Sequence, residues 1–125
     1  MILLTVDEIL RLHRKLVKTT GGSEELRDIS LLESAVYSTE AAFGGVELYP
    51  SVPEKVARLA YGLVSNHAFV DGNKRIGILA MLMTLRLNRI SIQYTQEELI
   101  LLGLQIASGE VQYDAIVCWI DTHRS

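Results

Sequence analysis

Cysteine is nearly missing from this chain. Cys118 is the single one in 125 residues, which excludes an intrachain disulfide and a cysteine-built zinc site. That usage suits a reducing, cytoplasmic compartment. Beside Trp119, Cys118 reads as a small core residue. Proline occurs twice and glycine nine times, so long helices need not be interrupted. There is no surplus of positive charge: 12 Lys and Arg stand against 15 Asp and Glu, a net charge of −3. A general nucleic-acid binder is thereby excluded, although a local basic pair can still hold one nucleotide. The most apolar run, Ile76 to Leu85, is too short for a membrane span and is bracketed by Lys74-Arg75 and Arg86. Met1-Ile-Leu-Leu lacks a basic leader and runs at once into Asp7 and Glu8, so no targeting segment is expected. Repeats and low-complexity linkers are missing too.

Apolar residues make up 49% of the chain and charged ones 22%, enough to build a real core and to argue against disorder. One domain over residues 1–125 is expected, of the all-α class. Thr5-Val-Asp-Glu8, Ser30-Leu-Leu-Glu33 and Thr95-Gln-Glu-Glu98 have the form of capping boxes, each opening a helix. Gly21-Gly22 closes the first helix and Gly109 the third of these. Pro53 suits the first turn of a further helix whose inner face is Val56, Leu59, Ala60, Leu63 and Val64. Lys74 to about Asn88 is apolar almost all round and is predicted to lie in the middle of the bundle. A last helix, from about Tyr113 to His123, turns Ile116, Trp119 and Ile120 inward. That makes about six helices. Between them, Phe43-Gly-Gly-Val-Glu-Leu-Tyr-Pro50 alternates after a glycine pair and predicts a short extended flap.

The chemistry concentrates in His67-Ala-Phe-Val-Asp-Gly-Asn-Lys-Arg75. His67 follows Leu63 by four residues and Ala60 by seven, which continues the inward stripe to the helix's last turn. Gly72 and Asn73 tolerate positive φ and let backbone N–H groups converge at the start of the next helix, where donors are unpaired. Lys74 and Arg75 sit in that first turn, at a local cost of about 0.3–1 kcal/mol each, which a bound anion would offset. Asp71 is the one carboxylate of the turn and suits magnesium, a hard ion that shares its shell with substrate phosphates. Taken singly, each of these is an ordinary feature: a core histidine, a turn, a solvated pair. Together and in this order they equip a hydroxyl to attack a nucleotide phosphate. His13, four residues after Ile9, reads as a core histidine with a hydrogen-bonded ring. His123 is expected to be solvated, and three histidines so scattered make no metal cluster.

HAFVDGNKR resembles the signature of the Fic/Doc superfamily, H-x-F-x-D/E/N-G/A-N-x-R, at every fixed position: His67, Phe69, Asp71, Gly72, Asn73 and Arg75. Leu12-His13, Gly21-Gly22, Leu26-Arg27-Asp28, Leu31 to Ala35 and Phe43 to Pro50 are similar to its shorter death-on-curing branch, so the likeness covers residues 3 to 90. The resemblance implies a Fic-type helical bundle. It implies His67 as general base toward a Ser, Thr or Tyr hydroxyl, Asp71 as magnesium ligand, and Gly72 and Asn73 as phosphate binders. Lys74 and Arg75 would neutralise nucleotide charge, and Phe69 would anchor the loop. Gly45, Val46, Glu47 and Leu48 would form the flap that pairs with an extended stretch of the target.

AMP-transferring members of that superfamily usually carry Gly after the motif Asn and a second Arg three residues after the first. Here those positions hold Lys74 and Ile78, as in death-on-curing members, where the γ-phosphate is thought to be transferred instead. An inhibitory S/T-x-x-x-E-G/N motif is missing: Thr20 to Glu24 has the spacing, but Glu25 follows. The resemblance thus implies the toxin of a toxin–antitoxin pair, a kinase that uses ATP and magnesium on a translation factor similar to elongation factor Tu. Its antitoxin would lay a flexible tail in a surface groove. An AMP transferase and a non-catalytic helical regulatory module are the alternatives. A metal-dependent hydrolase is weaker, because no second ligand stands at useful spacing.

Overall fold

Local capping signals and one shared helix account for most of the architecture. The computed structural model describes residues 1–125. Its helices are α1 (Val6–Thr20), α2 (Ile29–Tyr37), α3 (Val52–Ser65), α4 (Asn73–Leu87), α5 (Gln96–Ser108) and α6 (Tyr113–His123). A 3-10 turn, Ser38–Glu40, follows α2, and two short strands, β1 (Ala42–Phe43) and β2 (Val46–Glu47), precede α3. The class is all-α, as the periodicity predicts.

Thr5 and Thr95 cap α1 and α5 reciprocally with Glu8 and Glu98, as expected. The box at Ser30 does not form. Asp28 is the N-cap of α2 instead, and its carboxylate accepts from both the backbone N–H (2.9 Å) and the hydroxyl (2.5 Å) of Ser30. These two bonds, the hydroxyl's first, hold the Asp28 carboxyl below the usual carboxylate range. α3 carries a capping box as well, Ser51 with Glu54, which brackets Pro53.

Two hydrophobic clusters meet along α3. One joins Leu59 and Leu63 to Ile9, Leu32, Phe69 and Ile76. The other joins Val56, Ala60 and Val64 to Met81, Leu102, Ile116 and Ile120. The central helix is therefore α3 and not α4: Ile78, Leu79 and Leu82 of α4 are only half-buried and wall an open groove. Close approach of α3 depends on two glycines. A methyl group on Gly77 would overlap the Val64 side chain, and one on Gly62 would lie 3.0 Å from Ala35 Cβ.

Two expectations for α6 fail. Cys118 is exposed, because Ile116 and Ile120 define the buried stripe and the residue between them points the other way. His123 is not solvated. Its ring stacks on Trp119 (3.9 Å between centroids), donates from Nδ1 to the Trp119 carbonyl (2.7 Å), and meets Glu98 Oε2 at 2.5 Å. That contact with Glu98 raises the His123 pKa, and burial works against it.

Candidate functional site

The segment after α3 is shaped by its backbone. Asn66 caps α3, and its side-chain amide donates to the Leu31 carbonyl at 3.1 Å. His67 then adopts a left-handed conformation, φ 54°, which is uncommon for a non-glycine residue and concentrates at functional positions. That reversal lifts His67 off the inward stripe. Its side chain is exposed at the surface, which corrects the expectation of an inward-facing histidine. Arg27 fixes the reversal by donating from Nε to the His67 carbonyl (2.7 Å) and from Nη2 to that of Asn66 (3.4 Å). A cation here also suits the negative end of α3.

The loop is next stitched to the chain before α2. The N–H groups of Arg27 and Asp28 donate to the Ala68 carbonyl at 2.8 and 3.0 Å, and Val70 N–H donates to that of Glu25 at 3.1 Å. Phe69 is buried, as an anchor should be, with its ring stacked 3.7 Å above His13 at 12°. His13 is a buried histidine with a hydrogen-bonded ring, and its partner is the Asp71 carbonyl at 2.7 Å. A carbonyl only accepts, so Nε2 carries the proton. Asn73 spends its side chain inside the loop: Oδ1 accepts from Phe69 N–H (3.1 Å) and Nδ2 donates to the Phe69 carbonyl (2.9 Å). What Asn73 has left to offer an anion is its backbone N–H.

Gly72, at φ 80°, is the N-cap of α4. The first helical bond of α4 runs from Ile76 N–H to the Gly72 carbonyl, and the N–H groups of Gly72, Asn73, Lys74 and Arg75 donate to no protein acceptor. Four consecutive donors at the positive end of a helix form an anion cradle. Arg75 braces it against α1, with Nη1 donating to the Thr20 hydroxyl and to the Gly21 carbonyl (3.1 Å). Lys74 is exposed on the other side, facing α5.

Asp71 is exposed, and its Oδ2 accepts from Ser23 N–H at 2.9 Å. No group of three or more His, Cys, Asp or Glu side chains in the molecule is arranged to hold a metal. One carboxylate with a free oxygen beside an anion cradle fits magnesium that arrives with nucleotide phosphates, and does not fit a metal held by protein alone.

The flap is an antiparallel hairpin pairing Ala42 with Glu47 and Phe43 with Val46, closed by Gly44 and Gly45 at φ 58° and 80°. Phe43, Val46 and Leu48 are largely exposed. A groove of about 520 Å³ lies elsewhere, between α1, α4 and α5. It contains neither His67 nor Asp71, yet Thr20, Lys74 and Arg75 belong to both it and the cradle.

The profile that describes the Fic/DOC family matches residues 3–85, two helices on either side of the flap and the whole histidine loop. The chain belongs to the Fic/DOC family. A curated relative, Toxin Doc of Mycolicibacterium smegmatis, is 40% identical over 72 residues, which cover 58% of this chain and 55% of that protein. The chain thus spans just over half the length of the relative it matches. No helix is long and apolar enough to cross a membrane. Within the family frame, the residues missing from the signature are those that hold the loop from outside it: Arg27, Ser23 and Thr20. Only the likeness of Leu26-Arg27-Asp28 to the death-on-curing branch pointed toward them.

Proposed function

We propose that this protein is the toxin of a toxin–antitoxin pair and a kinase of the Doc type, acting in the cytoplasm on a translation factor similar to elongation factor Tu. The observation that carries the reading is the set of four free N–H groups opening α4, beside an exposed His67 and the carboxylate of Asp71. His67 accepts the proton of a target Ser or Thr hydroxyl. That oxygen bonds to the γ-phosphorus of ATP, the bond from phosphorus to the β-bridging oxygen breaks, and ADP leaves with the electron pair. The N–H groups of Gly72 through Arg75 and the free nitrogens of Arg75 hold the phosphate oxygens. When bound, magnesium neutralises phosphate charge, and Asp71 is the residue that would hold it. Ile78 supports phosphoryl over AMP transfer: where AMP-transferring relatives carry a second Arg, this chain places an apolar side chain in the groove wall.

The hairpin receives an extended segment of the target by strand addition. The groove lined by Leu16, Ile78, Leu82, Leu99 and Leu104 takes the flexible tail of the antitoxin, which there presses on Thr20 and Arg75 at the edge of the cradle.

The test is mass spectrometry of purified elongation factor Tu after incubation with the protein, magnesium and ATP, with His67→Ala and Asp71→Asn alongside. The expected product carries one phosphate, is missing with His67→Ala, and needs more magnesium with Asp71→Asn. An AMP adduct would overturn the orientation of the nucleotide. An adduct independent of His67 would remove it as the base.

A further inference from the structure

Lysine is almost never fully buried unless paired. Lys55, in the first turn of α3, is 4% exposed. Its Nζ donates to Glu47 Oε1 of β2 at 2.8 Å and to the Thr39 carbonyl of the 3-10 turn at 2.9 Å. The pair is lopsided: the lysine side chain is 5% exposed and the glutamate side chain 55%. The ammonium cannot follow the hairpin outward, so the hairpin must come to it. A departure of Glu47 would leave a buried charge without a counter-charge, which is strongly unfavourable.

The hairpin has little else to hold it. Two-residue strands are not stable alone, and three of the hairpin's apolar side chains face solvent. Backbone pairing continues one step beyond the strands, from Leu48 N–H to the Ala41 carbonyl at 2.9 Å. Lys55 to Glu47 is the only side-chain hydrogen bond between residues 42–48 and the helices.

We propose that Lys55 is a positioning residue that locks the hairpin in the register in which it accepts the protein substrate, and so sets affinity for that substrate without touching phosphate chemistry. The proposal rests on the strand-addition reading of the flap. Lys55→Met keeps the apolar stem and removes the ammonium, and Glu47→Gln removes the other charge. Both, and the double variant, are assayed for transfer to elongation factor Tu at saturating ATP, for ATP affinity by calorimetry, and for amide hydrogen exchange at residues 46–48. Lys55→Met is expected to raise KM for the protein substrate about tenfold, with kcat and ATP affinity within about twofold. Exchange at Leu48 should quicken, and the double variant should be no worse than either single one. An unchanged KM beside an active parent protein would overturn the proposal, as would a joint fall in kcat and ATP affinity. Should the parent transfer nothing, the reading of its activity fails. Hydrogen exchange then decides on its own: unchanged protection at residues 46–48 in Lys55→Met would sink the lock.

Discussion

Arg27 donates its Nε–H to the carbonyl oxygen of His67, 2.7 Å away and forty residues further along the chain. The bond holds a histidine whose backbone sits at φ 54°. Without it, the left-handed conformation is left to the bonds on either side, at Asn66, Ala68 and Val70, and the imidazole loses its fixed direction.

Arg27→Ala should therefore lower the transfer rate about tenfold, the equivalent of one charged-donor hydrogen bond near 1.5 kcal/mol. Binding of ATP should stay as it is, since Arg27 makes no contact with the cradle. Because Arg27 is exposed, millimolar guanidinium should restore part of the lost rate. Full activity in Arg27→Ala, or a loss that guanidinium cannot repair, would count against this role.

Gly77 faces Val64 where α3 and α4 cross. Gly77→Ala should destabilise the fold by about 1–3 kcal/mol through overpacking, read as a lower midpoint in urea. Adding Val64→Ala removes the overlapping methyl groups and should recover much of that loss. A pair whose effects simply add would mean that the helices do not meet there.

The contact between His123 and Glu98 predicts a pH window. The His123 pKa is raised from 6.5, first by its hydrogen bond to Glu98, so its contribution is complete below 6.5 and is lost as pH climbs through the raised value. The Glu98 pKa is lowered from 4.5, first by His123 and then by the Thr95 N–H, so its contribution is complete above 4.5 and is lost as pH falls through the lowered value. The clamp is strongest between about pH 4.5 and 6.5. The Tm difference between the protein and His123→Gln should peak in that window and shrink above it. A difference that stays level from pH 5 to 9 would show that the charge on His123 is immaterial.

What the sequence made legible was mostly local. Boxes at Thr5 and Thr95 could be read because cap and partner lie three residues apart. At α2 the same pattern misled, since Asp28 stands two residues ahead of Ser30 and a carboxylate accepts both of its donors. His67 was found by type and spacing, but its direction was not, because a single left-handed residue at a helix end redirects the side chain. The burial of His13 followed from its place on an apolar face. Its partner, Asp71, lies 58 residues away, and no pattern along the chain encodes that. The same holds for His123, whose partner is 25 residues upstream on another helix. The two apolar faces of α4 were visible, but which one is covered depends on how far α5 stands from α1.

α3 has a metric role as well as a packing one. Its first turn carries the lysine that grips the hairpin, and its end passes through the cap Asn66 into the histidine's reversal. Ten helical steps, from Lys55 to Ser65, carry the chain about 15 Å from one to the other at 1.5 Å per residue. Distance and bearing between the flap and the imidazole are thus written in helix length, not in loop conformation. One residue added to or taken from α3 would swing one end about 100° around the axis relative to the other, so length variation compatible with this geometry is confined to the chain outside α3.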